Sequence, residues 1–226
     1  MKIAISGTYS TGKTTTTLAL SYYTNLSQTH AKTMREILPK ALPGKRLEDV
    51  TGPELVQLGI RRLMERAVRE SHLESFVSDG SSLHEWVYGM VRTELGMNPN
   101  IETDTGKIIL TDELNFLRDV MENFGDVAKD YAVNTYDSFI HLPVEFPLVK
   151  DGHRPVSELF RSRSNDLLLQ TIEELKIPYH IVTGNIEERV KQITEIYNLK
   201  PVMDIKQAII LAQNEMEKYN LKQEGA

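Results

Sequence analysis

Short apolar runs alternate with longer amphipathic stretches along the whole chain, and this alternation is the first guide to its architecture. Met1–Ser6 is apolar and β-branched, as a buried parallel strand is, and Thr15–Asn25 follows as a helix. A second strand is predicted near Lys32-Thr33-Met34, while 38–52, with two prolines and two glycines, reads as a loop. From Pro53, a first-turn proline, Leu55, Leu58, Leu63, Ala67 and Val68 recur at helical spacing to about Ser71. Ser75–Asp79 is a short strand ending in a carboxylate, followed by Gly80-Ser81-Ser82 and a helix from about Leu83 to Leu95.

The segment 96–106 is polar and turn-rich, and Thr111-Asp112-Glu113 begins a helix to about Tyr131. Ser138–Leu142 is the next strand, ended by Pro143 and Pro147, with a helix from about Ser164 to Leu175 beyond it. Tyr179–Thr183 reads as a last strand, Ile186 to about Tyr197 as a helix and about 203–219 as a C-terminal helix. The polar tail to Ala226 is expected to fray. Strands alternating with helices in this way predict an α/β fold, a three-layer α/β/α sandwich with a central parallel sheet covered on both faces.

Composition narrows this picture. With 226 residues, 40% hydrophobic and 26% charged, the chain is long enough for one sizeable core, and a single domain spanning 1–226 is expected. A net charge of −6 argues against a nucleic acid polymer as partner, since backbone binding calls for a basic surface. The absence of cysteine excludes disulfides, thiolate metal sites and cysteine nucleophiles. No apolar run approaches the roughly 20 residues that span a bilayer, and with the first motif at residue 7 no signal peptide is expected. A soluble cytoplasmic protein without membrane contact is expected.

That motif is Gly7-Thr8-Tyr9-Ser10-Thr11-Gly12-Lys13-Thr14, which fits G-x-x-x-x-G-K-[ST] without a gap, after a strand and before a helix. A triphosphate needs many donors in a small concave space, and glycine lets the backbone turn its N–H groups inward. Gly7 and Gly12 supply the turn, and Tyr9, Ser10, Thr11 and Thr15 belong to the same cradle. Lys13 is placed to reach the β- and γ-phosphates, and the Thr14 hydroxyl to ligate Mg²⁺. ATP and Mg²⁺ are therefore the expected cofactors. Asp79, at the carboxyl end of its strand, falls on the same sheet edge. There it can hold Mg²⁺ or take a proton from an attacking hydroxyl, or cap the next helix.

The D-x-x-G and N-K-x-D elements of a guanine-nucleotide switch are missing, and the chain is too short for the additional helical domain of a ring-forming motor ATPase. The phosphate loop, Asp79-Gly80-Ser81, Asp151-Gly152-His153-Arg154-Pro155 and Thr183-Gly184-Asn185-Ile186-Glu187-Glu188-Arg189 stand together in an order with a known parallel. Over about residues 1–198 the chain resembles the P-loop ATPase/kinase family that includes the ribosylnicotinamide kinase domain, a relative of deoxynucleoside and nucleoside-monophosphate kinases.

The resemblance implies a kinase-like domain in which Asp79 acts as base or metal anchor and a lid at about 148–165 brings Arg154, Arg161 and Arg163 over the transferring phosphoryl group. Gly80 departs from the pattern, which usually has arginine after the acid. The acceptor side falls between the second and third strands, making Arg35, Glu36, Gln57 and Arg61 substrate-binding candidates. Trp86 with Tyr88 suits the core as well as a stacking platform, and the six histidines show no metal-ligand spacing. The function expected is Mg-ATP-dependent transfer of the γ-phosphate to a hydroxyl or phosphate of a nucleoside-like or other small metabolite. A nucleotide-binding regulatory ATPase with slow hydrolysis is the alternative, and a homodimer is left open.

Overall fold

The computed structural model describes residues 1–97, 111–148 and 157–224. Arg154, part of the expected lid and most of the 96–106 segment lie outside the described residues.

Five strands, β1 (Lys2–Ser6), β2 (Gln28–His30), β3 (Phe76–Asp79), β4 (Ser138–His141) and β5 (Tyr179–Ile181), run parallel in the order β2-β3-β1-β4-β5. Ile5 pairs with Asp79 on one side and Ile140 on the other, and Ser6 pairs with His141. This register brings the carboxyl ends of β1, β3 and β4 to one edge, where open parallel sheets bind ligands.

Successive side chains of a strand point to opposite faces, and both faces are apolar because both are covered. On one face Ala4, Phe76 and Phe139 pack with α4 (Ser82–Leu95), α5 (Asp112–Thr135) and α6 (Glu158–Glu174). On the other, Ile3, Ile5, Val77 and Ile140 meet α1 (Lys13–Thr24), α7 (Ile186–Ile196) and α8 (Ile205–Glu224). This is the expected three-layer sandwich. A third, smaller core joins α2 (Met34–Ala41) and α3 (Gly52–Ser71) to Leu117 and Met121 of α5. No described helix is long and apolar enough to cross a membrane.

Three expectations shift. The second strand is at Gln28–His30, because Thr33 instead caps α2, its side chain and that of Glu36 exchanging bonds with each other's backbone N–H groups. Part of the 38–52 loop is therefore helix, with Pro39 inside α2. The helix expected from Ser164 begins at Glu158, where the Ser157 hydroxyl accepts from the Phe160 N–H. Arg161 and Arg163 thus sit on a packed helix rather than on an extended lid.

Candidate active site

The loop leaving β1 closes on itself. Gly7 has φ +134°, and a Cβ there would lie 2.6 Å from the Leu142 carbonyl oxygen and 2.8 Å from Thr11 Oγ1. Gly12 has φ +83° and stands at the N-cap of α1, whose first N–H groups face the loop. The Thr11 hydroxyl donates to the Thr8 carbonyl at 3.0 Å and Lys13 Nζ donates to the same oxygen at 2.7 Å.

Asp79 reaches this loop directly. The Thr14 hydroxyl donates to Asp79 Oδ2 at 2.7 Å, uniting the two residues that the sequence offers to a metal. Among the described residues no group of three or more His, Asp or Glu is arranged to hold a metal ion. One hydroxyl and one carboxylate do suit Mg²⁺, which keeps several waters and binds phosphate oxygens rather than sitting in an all-protein cage.

Three further side chains fix the loop and the β3 turn. His84 accepts from the Ser81 N–H at Nδ1 (2.9 Å), so its Nε2 carries the proton and donates to the Gly7 carbonyl at 3.0 Å. Burial, aided by the charges of Lys13 and Arg66, holds the His84 pKa well below its usual value and keeps this tautomer neutral. Arg66 donates to the Asp79 carbonyl at 3.2 Å, the Gly80 carbonyl at 3.3 Å and the Ser78 hydroxyl at 2.6 Å. Its partner Glu70, equally buried, accepts from Ser78, Tyr131 and Tyr136. Arg189 of α7 donates to the Thr11 carbonyl at 2.6 Å and to Glu145 at 2.7 Å, bracing the loop from the far side. His141, at the end of β4, is pushed down to about 4 by burial, with the Lys13 charge acting in the same direction.

A cleft of about 1120 Å³ opens over these groups. Tyr9, Ser10, Thr11, Gly12, Lys13, Thr14, Thr15, Asp79 and Glu36 line it, with Glu36 engaged in the α2 cap. Gln57 and Arg61 do not; Arg61 lines a separate, smaller groove with Ile37 and Lys40 of α2. The inward stripe of α3 is instead Leu55, Gly59, Arg62 and Arg66. One residue along a helix is about 100° of rotation, so the choice between Arg61 and Arg62 turns on phase alone. Arg35 is on α2, and its side chain lies outside what is described.

Arg161 is buried and donates to the Phe146 carbonyl at 2.7 Å, and Arg163 is a partly exposed ion pair with Glu94 at 2.7 Å. Neither lines the cleft. Sequence reasoning passed over Arg62, Arg66, His84, Glu85 and Arg92 and gave Arg189 no role, yet all six line it. The Trp86–Tyr88 pair divides: Trp86 packs in the core against Gly125, while Tyr88 lines the cleft, its ring stacked on Tyr9 at 4.6 Å.

Comparison with known proteins agrees with this fold. A solved deoxyadenosine kinase from M. mycoides, with products dCMP and a flexible dCDP bound, superposes with a TM-score of 0.57 at 16% identity, covering 88% of this chain and 98% of that one. The NadR protein in complex with NAD and AMP-PNP superposes with a TM-score of 0.55 at 12% identity, over 88% of this chain and 50% of that one. At such identities the likeness is one of fold. No curated protein sequence matches. The family model described as an AAA domain matches residues 2–189. The chain therefore belongs to the AAA domain family of P-loop proteins, and its fold is that of the P-loop nucleoside kinases.

Proposed function

We propose that the chain is an Mg-ATP-dependent small-molecule kinase, transferring the γ-phosphate to a hydroxyl or phosphate of a nucleoside-like metabolite. The observation that carries this reading is the Thr14–Asp79 contact at 2.7 Å, placed between the phosphate loop and the rest of the cleft. Single-ligand pockets occupy roughly 300–1,000 Å³. A cleft of about 1120 Å³ lined by Asp79 supports a reading with room for a donor nucleotide and a second molecule.

The loop N–H groups and the start of α1 bind and orient the phosphates, and Lys13 swings from the Thr8 carbonyl to meet their charge. Thr14 and Asp79 would hold Mg²⁺, which when bound neutralises the charge developing on the phosphate oxygens. Asp79 also stands where an acceptor hydroxyl enters, so its carboxylate can take the hydroxyl proton as the phosphoryl group moves. Arg66 and His84 hold this carboxylate's turn and the loop in fixed relation, the preorganisation on which phosphoryl transfer depends.

The test is a panel of nucleosides, nucleoside monophosphates and other hydroxyl-bearing metabolites incubated with γ-labelled ATP and purified protein. Label moving onto an acceptor supports the proposal. Release as inorganic phosphate alone, at less than about one turnover per minute against kinase rates of roughly 1–100 s⁻¹, favours a regulatory ATPase instead.

A further inference from the structure

One wall of the cleft carries a buried cation that pairs with no carboxylate among the described residues. Along α4, His84, Glu85, Tyr88, Gly89 and Arg92 form one stripe of the cleft wall. His84 bonds to the Gly7 carbonyl, and at about 1.5 Å rise per residue Arg92 lies roughly 12 Å further along the helix. Arg92 is 7% exposed. Its guanidinium donates to the Tyr88 carbonyl of its own helix at 3.0 Å and lies 5.4 Å from the Phe160 ring centroid. It pairs with no carboxylate among the described residues. Glu85, two turns earlier on the same face, is taken by Arg62 at 2.8 Å.

Arg92 lines the cleft, and a guanidinium placed there offers its donors to a ligand of opposite charge. Burial lowers the Arg92 pKa more than Tyr9, Tyr88 and Glu85 raise it, in keeping with a cation short of compensation. Leu55, Tyr88 and Met121 give the same region apolar walls. The planar fork of arginine matches a carboxylate in two parallel hydrogen bonds.

We propose that Arg92 determines acceptor specificity by pairing with a carboxylate on a ring-sized acceptor, at the end away from the hydroxyl or phosphate that faces Asp79. This deepens the kinase reading and rests on its assignment of the α4 wall to the acceptor.

Benzoate and benzamide are near-isosteric rings that differ in charge, and their binding can be measured by calorimetry with and without AMP-PNP. Wild-type protein is expected to prefer benzoate by roughly ten- to a hundredfold, the range of a charge-assisted over a neutral contact. Arg92→Met should abolish the preference and melt at or above the wild-type temperature, while Arg92→Lys should keep part of the preference. Equal affinity for the two probes in wild type, no benzoate binding, or a preference that survives in Arg92→Met overturns the proposal. AMP-PNP binding is read separately, so its failure sinks the nucleotide reading whatever benzoate does, and the wild-type comparison stands even if a variant folds poorly.

Discussion

Acid should loosen this protein well before its carboxylates titrate, because two buried histidines flank the phosphate loop and both are held neutral. His141 is held at about 4 against 6.5 in an unfolded chain, and His84 is also displaced well below 6.5. Below pH 6.5 the unfolded chain therefore binds protons that the folded protein refuses, and stability falls as pH falls. For His141 alone, a shift from 6.5 to about 4 amounts to about 2 kcal/mol of stability lost between pH 7.5 and pH 5. At 2–4 °C per kcal/mol for a chain of this size, that is a fall of about 4–8 °C in Tm. His84 adds to it, since a second ring proton would face the Ser81 N–H that now donates to Nδ1. Thermal melts and urea titrations at pH 7.5, 6 and 5 would measure the loss, and His141→Asn should remove about 2 kcal/mol of the pH dependence. A stability that stays flat across this window, or a slope unchanged in both His141→Asn and His84→Asn, would refute the reasoning.

Other expected outcomes follow from single contacts. Lys13→Ala should weaken ATP binding or turnover by orders of magnitude with little change in melting, as calorimetry and a turnover assay would register. Gly7→Ala forces a side chain into the Leu142 carbonyl at φ +134°; strained backbone alone costs about 1–3 kcal/mol, so Tm and nucleotide affinity should both drop. Arg163→Ala breaks a partly exposed ion pair and should change stability by less than about 0.5 kcal/mol and turnover hardly at all. A tenfold loss of turnover would instead return Arg163 to the phosphates.

Locality decides what could be read in the sequence. The phosphate loop is one unbroken motif bounded by a strand and a helix, and Asp79 ends an apolar run, so both were legible without tertiary information. The helix faces were not. Arg61 and Arg62 are equivalent as letters, and only the packing of Leu55 and Leu58 against α2 and α5 turns Arg62 toward the cleft. Arg189 stood within a recognised stretch, but its bond to the Thr11 carbonyl joins residues 178 apart and no periodicity signals it. Arg161 and Arg163 were read as lid residues from the resemblance alone, and the polar start of α6, capped by Ser157, gave no local signal that the helix begins before them. The buried Arg66–Glu70 pair has helix-surface spacing, four residues apart, and its burial comes from β3 and α5 closing over it.

The most direct test of the kinase reading is to compare Asp79→Asn with wild type, measuring ATP affinity and the single-turnover rate of phosphoryl transfer to whichever acceptor the panel identifies. The substitution keeps the shape of the side chain that meets Thr14 and removes its charge and basicity. Affinity is expected to stay within about tenfold while the transfer rate falls by roughly 10²–10⁴, the range for losing general-base help. A variant that transfers phosphate at the normal rate but melts many degrees lower would show that Asp79 holds the turn together and takes no part in the chemistry.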